Sequence, residues 1–194
     1  KPSGQTTLEY AEGLSDKYNL DNFFTVLERF LKQAGTDSLK RRGFPKKFRK
    51  LDVRVSFGQG VSAKIPWIGL LRSPNTITDG VYPVYLYYKE INKLILAYGL
   101  SETNKSSNAW IGLENPRTIN DWHVDEYGSK PFKYGDSFVK SIYDLEDELE
   151  PEKIQSDLKE ILEVYSKMDF SDKTSQVPTT QVTPNYWLVS PGEG

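Results

Sequence analysis

The chain has 194 residues, 37% hydrophobic and 27% charged, which suits one soluble globular domain with a core of ordinary size. It has no cysteine and one histidine, His123, so disulfides and thiolate metal sites are excluded and a zinc centre or Ser-His relay has little to build on. The net charge of −2 conceals an uneven distribution: residues 1–140 carry 21 Lys and Arg against 15 Asp and Glu, and residues 141–194 carry 4 against 12. A basic body with an acidic tail is compatible with a polyanionic partner, because such affinity follows local charge rather than the whole-chain sum.

No run approaches the roughly 20 apolar residues of a membrane helix, and Lys1-Pro2-Ser3-Gly4 opens without the apolar core of a signal peptide, so the expectation is an intracellular protein with no membrane partner. Residues 5–19 are polar and weakly periodic, a short helix or an arm. With Asp21 as cap, Phe23, Phe24, Leu27, Phe30, Leu31 and Ala34 recur at helical spacing and Gly35 closes the segment, which predicts an amphipathic helix over 22–34. Lys40 to Lys50 follows as a basic run with Phe44 and Phe48 interleaved. Leu51, Val53, Val55 and Phe57 then alternate with Asp52, Arg54 and Ser56, the signature of a half-buried strand, and Gly58-Gln59-Gly60 breaks it.

Residues 64–71 read as a second strand and 72–80 as a polar loop. Residues 81–88 form a third strand, joined by a turn near Glu90-Ile91-Asn92 to Leu94-Ile95-Leu96-Ala97-Tyr98. Residues 101–135 read mostly as loop, with Trp110, Trp122 and Tyr134 as anchors, a turn at Asn115-Pro116 and His123 as a loop hydrogen-bonding group. Ile154, Leu158, Ile161, Leu162 and Tyr165 predict a helix over 151–167 with Pro151 in its first turn. The Ser, Thr, Gln and Pro of 169–184 read as a linker, and 185–194 as the opening of a further domain. The expected fold is therefore α+β, a curved and largely antiparallel sheet flanked by helices, with one domain over 1–168.

Little in this chain points to catalysis. Gly58-Gln59-Gly60 lacks the third glycine and the Gly-Lys-Ser/Thr of a phosphate loop, and a lone Gly-x-Gly is most often a tight turn. Its place between a basic strand and an aromatic one favours a second use: two glycines let the backbone approach a DNA groove while Gln59, at the tip, enters the duplex. Asp144, Glu146, Asp147, Glu148, Glu150 and Glu152 lead into a helix whose N-terminus favours negative charge, so they read as helix electrostatics rather than a nuclease metal site. Trp67, Tyr82, Tyr85, Tyr87 and Tyr88 are taken singly as core aromatics. Alternation puts Tyr82, Val84, Leu86 and Tyr88 on one face and Tyr85 and Tyr87 on the other, so at least one face should hold a site or a buried interface. Pro83 argues for a strand edge or bulge there. Tyr82 and Leu86, with Trp67 nearby, could wall a slot one base wide.

Leu51-Asp52-Val53-Arg54-Val55-Ser56-Phe57-Gly58-x-Gly60, Ile65-Pro66-Trp67, Gly80 to Lys89 and Leu96 to Asn104, in that order, closely resemble the MrcB-like N-terminal domain family, the DNA-binding domains of McrB subunits of McrBC modification-dependent restriction systems. The resemblance runs from about Phe44 to Tyr134. It implies recognition of duplex DNA carrying 5-methylcytosine by flipping the modified base into a pocket whose walls correspond to Trp67, Tyr82, Leu86 and Tyr134. It places the insertion loop at Gly58, Gln59 and Gly60, and here the chain departs from the pattern, with Gln59 where the family has a tyrosine that fills the vacated space. Glutamine can hydrogen-bond to the orphaned guanine but stacks poorly, so altered affinity or sequence context is expected. Lys46, Lys47, Arg49, Ser62 and Lys64 are the expected contacts to the DNA backbone.

The resemblance further implies a binding domain that needs no cofactor of its own. GTP and Mg belong to a separate GTPase module of the parent protein, which recruits a nuclease subunit in the cytoplasm of a prokaryote. The segment from Tyr186 to Glu193 resembles the start of an EVE-type domain. Two readings remain beside this one: a pocket tuned to another mark, such as 5-hydroxymethylcytosine or an N-methylated base, and a protein-assembly module whose exposed aromatics form a subunit interface without binding DNA.

Overall fold

The computed structural model describes residues 23–104 and 110–170. The expected helix or arm over 5–19, the Asp21 cap, most of the 169–184 linker and the final apolar segment lie outside the described residues.

Helix α1 (Phe23–Ala34) forms where the spacing predicts it. Phe23, Leu27, Phe30 and Ala34 make one buried stripe, and the Gly35 N–H returns to the Leu31 carbonyl at 3.1 Å. Six strands follow: β1 (Lys47–Phe48), β2 (Leu51–Gln59), β3 (Val61–Leu71), β4 (Val81–Tyr88), β5 (Lys93–Leu100) and β6 (Phe138–Asp144). They lie in sequence order in one sheet, every neighbour antiparallel, so the topology is a plain meander. Register shifts between Ser56 and Gly58 and between Leu96 and Ala97 bend the strands that carry them and give the sheet its curvature. A 3-10 turn at Lys89–Ile91 and left-handed Asn92 join β4 to β5. Helix α2 (Ile119–Tyr127) precedes β6, and α3 (Pro151–Lys167) completes the fold with Pro151 in its first turn, as expected.

Four details differ from the sequence expectations. The chain does not break across Gly58-Gln59-Gly60: β2 runs to Gln59 and β3 begins at Val61, with Gly58 paired to Ser62 and Gln59 to Val61, so Gly60 alone forms the turn. Pro83 lies in an interior strand, not at an edge. The β3–β4 ladder ends at Gly69 opposite Val84, so no β3 residue is paired with the proline, which tolerates its missing N–H. The stretch 101–135 contains α2, capped by Thr118 Oγ1, which accepts the Asp121 N–H at 3.0 Å, and closed by left-handed Gly128. His123 thus stands on a helix, with Nδ1 2.5 Å from the Ser129 carbonyl. Strand β6 was not anticipated at all, because only Tyr143 on it is buried and no alternation shows.

The sheet has two unequal faces. Val53, Val55, Phe57, Ile68 and Tyr85 point to the side covered by α1 and α3. Rings meet there at 4.7 Å for Phe23 and Phe48, 5.9 Å for Phe23 and Tyr85, and 5.5 Å for Phe30 and Phe57. Each fully buried large side chain of this layer contributes about 1.5–3 kcal/mol of burial free energy. Across the same layer Tyr143 donates to Asp157 of α3 at 2.8 Å. Burial alone would raise the Asp157 carboxyl, but hydrogen bonds from Ser141, Tyr143 and Lys153 hold it below its ordinary value. Tyr85 is therefore a core residue. The opposite face, with Trp67, Tyr82 and Leu86, is only partly roofed by α2 and the chain leading from it to β6.

Candidate functional site

Period-two alternation sends Tyr82, Val84 and Leu86 of β4 to the roofed face, and the ladder sets Trp67 of β3 directly opposite Leu86. The roof supplies Tyr134. Its φ of +66° is the left-handed conformation that a bulky residue rarely adopts. Two hydrogen bonds hold it: its N–H donates to Glu102 Oε1 at 2.7 Å, and its carbonyl accepts the Ser137 N–H at 3.2 Å. The following Gly135 sits against α2, where a Cβ would lie 2.0 Å from Asn120 Oδ1.

Trp67, Tyr82, Leu86 and Tyr134 consequently line one cavity of about 150 Å³, together with Ile77, Gly99, Glu102, Thr103, Lys133 and Ser137. By this volume the cavity is on the scale of one six-membered ring. Its floor is firm. Leu86 and Tyr82 are buried at 1% and 7% exposure, and the Tyr82 hydroxyl donates to the Ile77 carbonyl at 3.2 Å. Gly99 is required beneath Tyr82, because a Cβ there would come within 2.6 Å of the Tyr82 carbonyl oxygen and 2.8 Å of Val84 Cγ1. Trp67 and Tyr134 are half-buried, whereas Glu102, Thr103 and Lys133 are exposed members of the lining. Burial, reinforced by the charge of Glu102, pushes the Tyr82 and Tyr134 phenols above their usual range; at Tyr134 a hydrogen bond from Trp67 offsets part of the rise.

Beyond the cavity, the same face continues to the β2–β3 tip. Gly58 there has φ +122°, and a Cβ would lie 2.0 Å from the Val61 carbonyl, so the close approach of the two strands admits only glycine. Gln59 and Val61 flank the turn, Val61 being 76% exposed. Ser62 Oγ accepts from Lys89 Nζ at 3.1 Å, and Lys64 pairs with Glu90 at 3.2 Å while its Nζ sits 5.2 Å from the exposed Phe132 ring. Lys133 Nζ lies 5.7 Å from the same ring. Lys64, Lys89 and Lys133 thus gather between the tip and the cavity.

The residues expected at the DNA backbone fall into two groups. Ser62 and Lys64 stand near the tip, whereas Lys46, Lys47 and Arg49 belong to the β1 edge beside Asp52, seven residues back along β2, about 23 Å at the strand rise. Lys47 is ion-paired with Asp52 at 2.6 Å. Sequence reasoning passed over Lys89, Lys133, Ile77 and Glu102. Lys89 and Glu102 lay inside motifs that were recognised as blocks, while Ile77 and Lys133 sit in irregular segments with no local signal. Among the described residues there is no cluster of three His, Cys, Asp or Glu placed to hold a metal, and no helix long and apolar enough to cross a membrane.

Comparison with known proteins identifies the family. The chain is 34% identical over 164 residues to the "Type IV methyl-directed restriction enzyme EcoKMcrB subunit" of Escherichia coli K12, an alignment that covers 84% of this chain and 36% of that protein. The chain therefore spans about a third of its relative's length. Residues 15–115, just over half of the chain, match the family described as MrcB-like, N-terminal domain. Trp67, Tyr82, Leu86, Glu102 and the β2–β3 tip fall inside that span, while Tyr134 lies past its end. With this match and this architecture, the chain belongs to the MrcB-like N-terminal domain family.

Proposed function

We propose that this chain is the DNA-binding specificity domain of a modification-dependent restriction enzyme, and that it recognises 5-methylcytosine in duplex DNA by flipping the base into the Trp67, Tyr82, Leu86 and Tyr134 cavity. The observation that carries this reading is the cavity itself: four residues drawn from β3, β4 and the segment after α2 line a space on the scale of one pyrimidine ring, with Lys133 in its lining and Lys64 close by across the Phe132 ring. The relative's description as a methyl-directed restriction enzyme subunit favours a modified base over an unmodified one. Aromatic walls stack a base irrespective of its identity, and an aliphatic wall such as Leu86 gives a 5-methyl group an apolar neighbour worth about 1–3 kcal/mol.

In this reading the tip carrying Gln59 enters the duplex as the base leaves it, and Ser62, Lys64, Lys89 and Lys133 meet the flanking phosphates. Lys46, Lys47 and Arg49 reach phosphates farther along the duplex. The domain binds and does no chemistry. GTP hydrolysis with Mg and strand cleavage by a nuclease subunit belong to other parts of the assembly, in the cytoplasm of a prokaryote.

The test is a fluorescence-anisotropy titration with duplexes identical except for one cytosine, 5-methylcytosine or 5-hydroxymethylcytosine. The 5-methylcytosine duplex should bind tightest. Trp67→Ala should remove about 1–3 kcal/mol of stacking, a loss of roughly 5- to 150-fold. Preference for 5-hydroxymethylcytosine would rename the mark. Equal binding of all three, unaffected by the substitution, would refute the pocket.

A further inference from the structure

We propose that Glu102 selects the cytosine-type edge of the bound base, its carboxylate accepting a hydrogen from the exocyclic 4-amino group; this rests on the base-flipping reading above. Glu102 follows the end of β5 directly after Ser101, which is anchored by its N–H to the Gly80 carbonyl at 3.0 Å. Its side chain lines the cavity, and Oε1 accepts the Tyr134 N–H at 2.7 Å. That bond fixes the carboxylate beside the aromatic wall. A carboxylate has about four lone-pair directions, so one backbone N–H leaves acceptor capacity for a ligand.

A negative charge beside a DNA-binding pocket is a cost, since it opposes the phosphate attraction that the lysines supply. It returns that cost only to a base presenting a donor. Cytosine and its 5-substituted forms carry the 4-amino donor, whereas thymine presents the O4 acceptor and would set lone pairs against lone pairs. The apolar walls cannot make this distinction, because 5-methylcytosine and thymine share the ring and the methyl group. Glu102 is thus a negative as well as a positive determinant, rejecting the deaminated product of the very mark the walls accept. Amino-bearing purines present a fused ring pair to a pocket whose volume, about 150 Å³, is on the scale of one ring.

The experiment uses the full chain and duplexes in which the target base faces an abasic site, so that unpairing costs are equal. The targets are 5-methylcytosine, thymine and 5-methylpyrimidin-2-one, the last lacking only the 4-amino group. Wild type should bind 5-methylcytosine roughly tenfold or more tighter than the other two, the worth of a hydrogen bond to a charged group. Glu102→Gln has the same size and keeps an acceptor for the Tyr134 N–H, while its amide nitrogen can donate to thymine O4; its preference for 5-methylcytosine over thymine should fall to near parity. A preference retained in Glu102→Gln would overturn the assignment. Should that variant fail to fold, the wild-type comparison decides: equal affinity for 5-methylcytosine and 5-methylpyrimidin-2-one overturns it. A wild type that separates 5-methylcytosine from cytosine in paired duplexes, but not from thymine here, sinks this inference alone. Indifference to methylation together with indifference to Trp67→Ala sinks the pocket itself.

Discussion

The tip of the β2–β3 hairpin offers a gain-of-function test. Gln59 is exposed and stands one residue from the Gly60 turn, paired only with exposed Val61. Replacing it by tyrosine adds no contact to the folded chain and disturbs none, so stability should stay within about 0.5 kcal/mol. If the tip enters the duplex, the new ring stacks on neighbouring bases and gains about 1–3 kcal/mol. Ordering the side chain at the interface takes back about 0.5–1.5 kcal/mol. The net is about 1 kcal/mol, close to fivefold tighter binding of a 5-methylcytosine duplex. Anisotropy at fixed salt measures it, with thermal denaturation to confirm the unchanged fold. Because the gain depends on the cavity taking the displaced base, it should vanish in the Trp67→Ala background. An unchanged or weakened affinity in Gln59→Tyr, with an intact fold, would show that the tip does not enter the stack.

The remaining predictions probe the frame around the site. Gly58→Ala and Gly60→Ala should separate, since both residues have positive φ but only Gly58 meets backbone at 2.0 Å; circular dichroism melts should show a cost of about 1–2 kcal/mol for Gly60→Ala and a larger one for Gly58→Ala, with DNA binding lost in the latter. Lys133→Ala should weaken cytosine and 5-methylcytosine duplexes alike and reduce the slope of log K against log salt by roughly 0.9, as expected for one lost phosphate contact; a selective loss of one duplex would assign Lys133 to base reading instead. Asp157→Ala should leave the buried Tyr143 hydroxyl without its acceptor and cost about 1–3 kcal/mol in urea denaturation. The folded value of Asp157 is depressed, so its contribution is present above the unfolded carboxyl value of about 3.9 and disappears as pH falls through the lower folded value. The variant's stability should therefore decline less steeply than wild type on acidification, and equal slopes would contradict the direction of the shift.

How much of this was legible in the sequence depends on how each element earns its place. Strands β2 to β5 were readable because one face or both are buried, leaving alternation or a continuous apolar run between glycines. Helices α1 and α3 were readable because a full apolar stripe lies against the sheet. Strand β6 was not, since it is an edge strand whose side chains are half-exposed apart from Tyr143, and α2 buries only Ile119 and Trp122, too little for a helical period to show. Its ends were nevertheless written in plain chemistry, Thr118 three residues before Asp121 and Gly128 after Tyr127. The walls of the cavity divide in the same way. Trp67, Tyr82 and Leu86 follow from the pleat of adjacent strands, a local rule. Tyr134 does not: without the family resemblance nothing in its neighbourhood predicts that a left-handed turn brings it across from β4.

That difference bears on how specificity is built here. The residues legible from the pleat, Trp67, Tyr82 and Leu86, sit on rigid strands and supply shape and apolar surface, properties that many rings satisfy. Tyr134 and Glu102 come from connecting segments and depend on each other, one N–H to one carboxylate, for their placement. In the proposed reading, shape alone would accept a methylated pyrimidine, whereas the polar pair would ask which pyrimidine it is. On that reading, a change in the mark recognised would require new residues in the segments after β5 and α2 rather than a rebuilt sheet, leaving the core under α1 and α3 free to preserve stability while the roof varies.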